Sequence, residues 1–179
     1  MTDDRTFPSE PSGPFPTPPV TYTDQEGREI EIRRFDADED LESLVEMYDA
    51  FDPADRAQGI PPTREDRIRE WLDDITDDDC LNVVAWHDDT VAGHATLVPD
   101  GDAYELAIFV LQAYQQARNG TRIIETLLGY GREEDVEKVW LTVERWNNPA
   151  INLYRKVGFE TSNAESFELE MGLRLRAED

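Results

Sequence analysis

A change in the hydrophobic period near residue 80 constrains the fold of this chain more than any other feature. Apolar residues recur every three to four positions over 36–51 and 63–75, which predicts two amphipathic helices, the second starting at a capping box of Thr63 and Asp66. From residue 82 onwards β-forming residues predominate, and Asp88–Asp89 separates two runs as the turn of a hairpin. Helices followed by paired strands predict a domain in which a sheet buries a face against helices.

The remaining segments alternate between strands and helices. Further strands are predicted at 29–35, 103–111 and 138–144. The run at 103–111 is so apolar that we expect it to be buried on both faces. The final segment alternates strictly, so five of its side chains are predicted to point the same way: Phe167, Leu169, Met171, Leu173 and Leu175. With helices starting near 119 and 147, this order predicts an α/β (α+β) domain with a central mixed sheet.

The charge of the chain limits the partners it can bind. Its 41 acidic and 17 basic residues give a formal net charge of −24, and only two of the basic residues are lysines. Such acidity opposes binding to nucleic acid or to anionic membrane surfaces, because both require a basic face. The acidic residues are spread over nearly every segment, which is typical of proteins from the high-salt cytoplasm of halophilic archaea. We therefore expect a cytoplasmic protein.

The N-terminal stretch and the single cysteine are consistent with this expectation. Residues 1–22 are rich in Pro and have no apolar core, so they predict a disordered or extended tail rather than a secretory signal, with one domain over 23–179. The single cysteine, Cys80, precludes an intramolecular disulfide, as expected in a reducing cytosol. No apolar run approaches the roughly 18 residues of a membrane span.

The segment 108–124 contains no acidic residue, which is unusual in so acidic a chain. Its pattern predicts a strand, a polar loop and the start of a helix. A loop that opens a helix presents unpaired backbone N–H groups and the positive end of the helix dipole, and both favour phosphate binding. Arg118 and Arg122 add positive charge. From composition alone, two interpretations stay open: a site for an anionic ligand, or a plain connection between a strand and a helix.

Two motifs in this part of the chain resemble the GNAT superfamily of N-acyltransferases, which use acetyl-CoA. The stretch NNPAINLYRKVGF at 147–159 has every fixed residue of the family pattern N-x-x-A-x-x-L-Y-x-K-x-G-F. The stretch QQARNG at 115–120 resembles the family's phosphate loop, Q/R-x-x-G-x-G/A, except that Arg118 replaces the first glycine. The resemblance covers about 29–176. It implies a twisted mixed sheet of six to seven strands flanked by about four helices.

The resemblance implies a site for acetyl-CoA as a cosubstrate. Asn147 would bind the cofactor arm or hold the turn, and an N–H near Val110 would stabilise the oxyanion. Arg118 would either crowd the pyrophosphate, point outward or bond to a phosphate. The backbone groups expected to pair with the pantetheine arm are those of Ile108, Phe109 and Val110. The expected loop residues of the site are Gln115, Gln116, Ala117, Arg118, Asn119, Gly120 and Thr121.

The resemblance also implies a catalytic pair. Tyr154 corresponds to the tyrosine that protonates the leaving thiolate, a role that suits a phenol with a reference pKa of about 10; the alternative is a packing residue. Glu105 precedes the strand 106–110, where several members carry a base that often acts through water; the alternative is a solvent-facing acid. No metal is expected, since His87 and His94 lack the spacing of zinc ligands.

These assignments predict acetyl transfer from acetyl-CoA to a primary amine in a ternary complex, without a covalent enzyme intermediate. The acceptor is expected to contact the loop 51–62 and the helix 63–75. A protein lysine and a small polyamine or amino compound are both consistent with acidic walls that attract cationic amines. A homodimer would form through the final strands, as in many relatives. The alternative prediction is a non-catalytic CoA-binding or interaction module, which Arg118 favours and the intact Tyr154 motif opposes.

Overall fold

A computed structural model describes residues 5–51, 61–163 and 167–177 of the chain. Eight described strands form one mixed sheet in the order β1-β2-β3-β4-β5-β6-β8-β7. The strands are β1 (Val20–Thr23), β2 (Glu29–Arg34), β3 (Leu81–His87), β4 (Thr90–Asp100), β5 (Ala103–Val110), β6 (Lys138–Glu144), β7 (Glu160–Asn163) and β8 (Glu168–Arg174). The helices are α1 (Ala37–Asp49), α2 (Glu65–Ile75), α3 (Asn119–Glu133) and α4 (Asn148–Val157). The predicted α/β (α+β) class is confirmed, and the sheet has one strand more than expected.

The two faces of the sheet are covered by different helices, as the helical periods require. On one face, α3 contributes Ile123, Ile124, Leu127 and Leu128 to the larger apolar cluster. On the other face, α1 and α2 bury Leu44, Tyr48, Ile68 and Leu72 in a second cluster. None of the described helices is long and apolar enough to cross a membrane.

The additional strand is β1, which lies at the end of the segment predicted to be a disordered or extended tail. β1 pairs antiparallel with β2. Residues 5–19 form no helix or strand, yet they lie against the domain: the N–H of Ser12 donates to the carbonyl oxygen of Arg174 at 2.8 Å. The Arg5 guanidinium lies 3.5 Å from the centroid of the Trp140 ring. Arg5 also forms ion pairs with Asp100 of β4 and Glu170 of β8, at 3.1 and 2.9 Å.

Strands β5 and β6 are neighbours along only a short stretch, and this determines where a ligand can enter. They are parallel and pair only at Tyr104 with Val139 and at Glu105 with Trp140. β5 pairs with β4 at eight positions, from Ala103 to Val110. Beyond Glu105, β5 and β6 are no longer paired and leave an opening in the sheet.

Three local predictions are wrong. The capping box of α2 does not form, because Arg64 is the N-cap without a side-chain bond and its guanidinium pairs with Asp66. β5 is not buried on both faces, since its C-terminal half borders the opening and only Ala103 and Leu106 are fully buried. Phe167 is 80% exposed and precedes β8, whereas the other four apolar residues of that segment are buried.

His94 is a core residue. The Tyr48 hydroxyl lies 2.6 Å from its Nδ1, and its Nε2 lies 2.6 Å from the side-chain oxygen of Asn82. Burial lowers the pKa of His94 to about 3, so the ring is neutral and its Nε2–H donates to Asn82. Among the described residues, no group of three or more His, Cys, Asp or Glu side chains is arranged to hold a metal ion.

Candidate active site

A cavity of about 530 Å³ lies between the C-terminal half of β5 and the N-terminal ends of α3 and α4. This volume is in the range of small-molecule sites. Two predicted cofactor residues, Ala117 and Asn119, are absent from the cavity lining because their side chains are buried in the domain. The lining residues are Phe51, Ile108, Phe109, Val110, Gln115, Gln116, Arg118, Gly120, Thr121, Asn147, Pro149, Ala150, Leu153 and Tyr154.

Part of the β5 backbone faces the opening without a strand partner. The N–H of Leu111 donates to the carbonyl oxygen of Ala92 at 3.0 Å, so the backbone groups of Leu111 point towards β4. Those of Phe109, two residues earlier, point the same way, because direction alternates along a strand. Ile108 and Val110 therefore turn their N–H and C=O groups towards β6. The carbonyl oxygen of Val110 accepts from the side-chain nitrogen of Gln115 at 2.9 Å. The backbone groups available to a ligand are therefore the N–H and C=O of Ile108 and the N–H of Val110, whereas Phe109 presents its ring to the cavity.

The start of α3 is open to an anionic ligand. Arg118 is its N-cap, with φ 69° and ψ 10°, and makes no side-chain capping bond. The first N–H groups of a helix have no partner within the helix, so those of α3 can bind a ligand in the cavity. The left-handed backbone at this position explains why the family pattern has glycine there. Among the described residues, Arg118 forms no ion pair, and its side chain is exposed.

The start of α4 is capped by its own sequence. The side-chain oxygen of Asn147 accepts from the N–H of Ala150 at 3.3 Å, which combines a cap with a position in the cavity lining. Gly158 ends the helix with φ 129°. These two ends fix the helix that carries Tyr154.

Tyr154 lies in the cavity wall. Its ring packs edge-on against Phe159 with centroids 6.0 Å apart. Burial raises the pKa of Tyr154 to about 12, so the phenol keeps its proton at every physiological pH. Within the described part of the chain, no group forms a hydrogen bond with its hydroxyl. The hydroxyl is therefore free to bond to a ligand.

Glu105 is not part of the cavity lining. Glu105 belongs to the last residue pair that joins β5 to β6. Its side chain lies on the same side of the sheet as that of Phe109, about 13 Å away along the strand. Burial raises the pKa of Glu105, and the charge of Asp100 raises it further, while Arg5 opposes the shift. Glu105 is thus a half-buried carboxyl group with increased proton affinity near the apex of the opening.

Aromatic side chains form the wall of the cavity on the side of α1 and α2. Phe51 and Phe109 line the cavity with their centroids 6.4 Å apart. Behind them, the Tyr48 and Trp71 rings lie 5.6 and 5.2 Å from the Phe109 ring. No sequence period indicates this cluster, because its members come from α1, α2, β5 and the end of the α1 segment. Most of the loop predicted to contact the acceptor, 52–60, lies outside the described residues.

Comparison with known families identifies the fold. The sequence model of the Acetyltransferase (GNAT) family matches residues 41–159, which is 119 of the 179 residues. The chain belongs to the GNAT family of acetyltransferases. The match spans both motifs, the strand β5 and the opening beside it.

Two curated relatives match part of the chain. Probable N-acetyltransferase camello from Xenopus tropicalis is 33% identical over 86 residues, covering 46% of this chain and 39% of that protein. N-alpha-acetyltransferase from Sulfurisphaera tokodaii is 38% identical over 66 residues, covering 36% of this chain and 38% of that protein. The chain therefore matches about two fifths of the length of these relatives.

Solved GNAT structures match most of the chain. The GNAT domain of S. lividans PAT superimposes with a TM-score of 0.73 at 17% identity, covering 88% of this chain and 97% of that one. PaiA N-acetyltransferase from Thermoplasma acidophilum, solved in complex with coenzyme A, gives a TM-score of 0.65 at 19% identity, covering 81% and 98%. At these identities, the likeness shows a common fold.

Proposed function

We propose that this GNAT protein transfers an acetyl group from acetyl-CoA to a primary amine by direct transfer in a ternary complex. The observation that carries the proposal is one cavity whose wall has two chemically different parts. One part is the uncapped start of α3 with the exposed Arg118, and the other contains Tyr154. An anionic nucleotide suits the first part and a leaving thiolate suits the second. Family membership and the coenzyme A held by the T. acidophilum relative support the same assignment.

The residues present fit the cosubstrate. The N–H groups at the start of α3 would bind the pyrophosphate, and Arg118 would add a charge-assisted bond to a phosphate. The outward-facing backbone groups of Ile108 and Val110 would bind the pantetheine amides, as an added strand would. The absence of acidic residues over 108–124 keeps this path free of negative charge in a chain of net charge −24.

Acetyl-CoA would supply the activated thioester. Tyr154 would donate its proton to the sulfur as the carbon–sulfur bond breaks. Because burial raises its pKa, the phenol is in its acid form at neutral pH and has a proton to donate. The N–H of Val110 faces the opening and would stabilise the negative charge that develops on the acetyl oxygen.

Glu105 would accept the proton that the attacking amine loses. Because its side chain lies outside the cavity lining, we assign it this role through an intervening water rather than by direct contact. A carboxyl group whose pKa is raised is a better base at neutral pH than an ordinary glutamate. Its acid form predominates below the raised pKa, so activity should fall as the pH drops through that value.

The acceptor is a cationic amine, either a protein lysine or a small polyamine. The negative field of the chain would attract it, and the aromatic wall of Phe51 and Phe109 would contact its apolar part. We also infer a high-salt cytoplasm as the setting, because the acidic residues are dispersed and lysine is scarce.

Calorimetric titration of acetyl-CoA in molar potassium chloride tests the cofactor assignment. We expect micromolar binding, and weaker binding of S-acetylpantetheine, which lacks the phosphates. Acetylation of polylysine and of spermidine would then be measured through the free thiol of coenzyme A that the reaction releases. Absence of binding by the native chain, together with binding by Arg118→Gly, would contradict the proposal. That result would instead favour a non-catalytic module whose phosphate loop is blocked by Arg118.

A further inference from the structure

The phosphate loop adopts a glycine-like backbone without glycine. Gln116 and Arg118 have φ of 60° and 69°, in the left-handed region that side chains with a Cβ seldom adopt. Each such residue carries a conformational cost unless surrounding structure holds it in place. The two residues lie on either side of Ala117, so the whole turn before α3 depends on an external support.

That support is centred on Asn119, the first residue of α3. Its side chain is 1% exposed and makes three hydrogen bonds, which use both N–H donors and one of the two lone pairs of the amide oxygen. The side-chain oxygen accepts from the Tyr22 hydroxyl at 2.6 Å, and the side-chain nitrogen donates to an Asp24 carboxylate oxygen and to the Tyr114 carbonyl, both at 3.0 Å. Burial first, and the charge of Asp24 next, raise the pKa of Tyr22, so its hydroxyl remains a donor. The position that resembles a cofactor ligand therefore points away from the cavity.

The other half of the support is the turn between β1 and β2. Asp24 is buried there and accepts from the Nε of Arg28 at 2.8 Å. A second guanidinium nitrogen of Arg28 donates to the Ala113 carbonyl at 2.8 Å. The N–H of Gln25 donates to the Ala117 carbonyl at 3.2 Å, between the two left-handed residues. The turn thus holds the loop before, within and after its strained part.

We propose that Asn119 is a positioning residue for the pyrophosphate-binding loop, and that its bonds to Tyr22 and Asp24 replace the conformational role of the missing glycine. Asn119 does not touch the ligand. It fixes the backbone that presents the N–H groups of α3 to the cavity. The inference rests on the proposed function insofar as the ligand is a nucleotide pyrophosphate, and it adds the device that preorganises the loop for it.

A double-mutant cycle between Asn119 and Arg118 tests the proposal. We expect Asn119→Ala to weaken the binding of coenzyme A by about tenfold, because the loop must be ordered on binding. Arg118→Gly in the native background removes the guanidinium bond to a phosphate and should by itself weaken binding by roughly tenfold. In the double variant, glycine supplies the conformation without the support, so its affinity should stay within about threefold of that of the Arg118→Gly single variant.

Two controls separate positioning from general destabilisation. Asn148 is the first residue of α4 as Asn119 is of α3, and Asn148→Ala should leave coenzyme A binding unchanged. S-acetylpantetheine, which carries no pyrophosphate, should bind Asn119→Ala as it binds the native chain. Additive effects of the two substitutions, or equal losses for coenzyme A and S-acetylpantetheine, would overturn the proposal.

A second variant and a second measurement keep the proposal testable if Asn119→Ala does not fold or if the native chain does not bind coenzyme A. If Asn119→Ala does not fold, Tyr22→Phe removes only the hydroxyl and enters the same cycle, with a smaller loss of affinity that should also be absent in the Arg118→Gly background. Nuclear magnetic resonance of Arg118 reports its φ without any ligand. We expect the left-handed signature to be lost in Asn119→Ala and present in the native chain; its persistence in the variant would refute the positioning role. If the native chain binds no coenzyme A, the proposed function fails, and this measurement still decides the positioning role.

Discussion

Helices α3 and α4 both begin at the cavity, but their first turns are built differently. The N-cap of α4 is Asn147, whose side-chain oxygen accepts from the N–H of Ala150, and the N-cap of α3 is Arg118, whose side chain makes no capping bond. A capped start satisfies its own N–H groups and stabilises the helix, whereas an uncapped start leaves them for a ligand. The difference indicates that the two helices have different roles. We assign binding of the anionic part of the ligand to α3, and the positioning of Tyr154 for proton transfer to α4. Changes at α3 should alter affinity, and changes at α4 should alter turnover or stability.

The largest effect should come from Tyr154→Phe on α4. Loss of the donated proton should lower kcat by about 10² or more, while the affinity for acetyl-CoA stays within about twofold of native. Steady-state kinetics and calorimetry measure the two quantities. Tyr130→Phe on α3 is the matched control, because Tyr130 is a half-buried tyrosine outside the cavity lining and should leave both values unchanged. A kcat of the Tyr154→Phe variant equal to that of the native chain would show that the Tyr154 hydroxyl on α4 has no chemical role.

A carboxylate placed at the start of α3 should have the next largest effect. Thr121→Glu puts a negative charge among the N–H groups that we assign to phosphate, and a repulsion of roughly 2–3 kcal/mol would weaken acetyl-CoA binding by about 10². Asn148→Glu puts the same charge in the first turn of α4, where it should change binding by no more than about threefold. Calorimetry compares the two variants. Similar losses in both would remove the distinction between the helix starts.

Removal of the α4 cap should cost stability rather than affinity. Asn147→Ala should lower the free energy of unfolding by about 1 kcal/mol and the Tm by about 2–4 °C, because the N–H of Ala150 loses its acceptor. Asn147→Asp keeps an acceptor oxygen and should restore most of the loss. Arg118→Ala, at the uncapped start of α3, has no cap to remove and should leave the Tm within about 1 °C of native. Thermal unfolding in molar salt measures all three, and a larger loss for Arg118→Ala would reverse the comparison.

Salt should have the smallest effect, and it should act at one end of the cavity only. The phosphates bind at the exposed start of α3, so raising potassium chloride from about 0.2 to about 2 M should weaken acetyl-CoA binding several-fold by screening. S-acetylpantetheine carries no phosphate, and its affinity should stay constant or rise, since salt strengthens apolar contacts. Parallel losses for both ligands would place the salt sensitivity outside the phosphate end.

Much of the fold follows from local sequence patterns. The helical period located α1 to α4, and runs of β-forming residues, most of them alternating, located β2 to β6, because the period of each element is set by backbone geometry. Strand β1 was missed, since Pro-rich flanks conceal a four-residue strand whose partner, not its own pattern, stabilises it. Phe167 was misassigned because alternation continues beyond the residue at which strand pairing ends. The apolar run of β5 could not reveal a cavity, since strand residues that line a cavity and strand residues in a core are equally apolar.

The motif indicated the segments that form the candidate site, and it did not indicate how their side chains are arranged. Gly120 and Tyr154 line the cavity, but the motif could not tell that Asn119 points into the domain. The direction of a side chain at a helix start depends on the partner it meets, here Asp24, which lies 95 positions earlier in the chain. Nor could the sequence show that the backbone groups of Phe109 point towards β4, because their direction depends on which side of β5 remains unpaired.

The ion pairs of Arg5 have a mechanical consequence. Strands β1 to β5 and strands β6 to β8 are joined by two paired positions, and Arg5 bonds to both parts, through Asp100 on one and Glu170 on the other. Lys138 of β6 crosses the same line to Asp102 at 2.7 Å. A force applied to the N-terminal segment at Arg5 would therefore be transmitted to both parts of the sheet at once. The shared apolar cluster and the ion pair of Lys138 would still join the two parts after Arg5 was released, so the N-terminal segment is one of several links that set the width of the ligand opening.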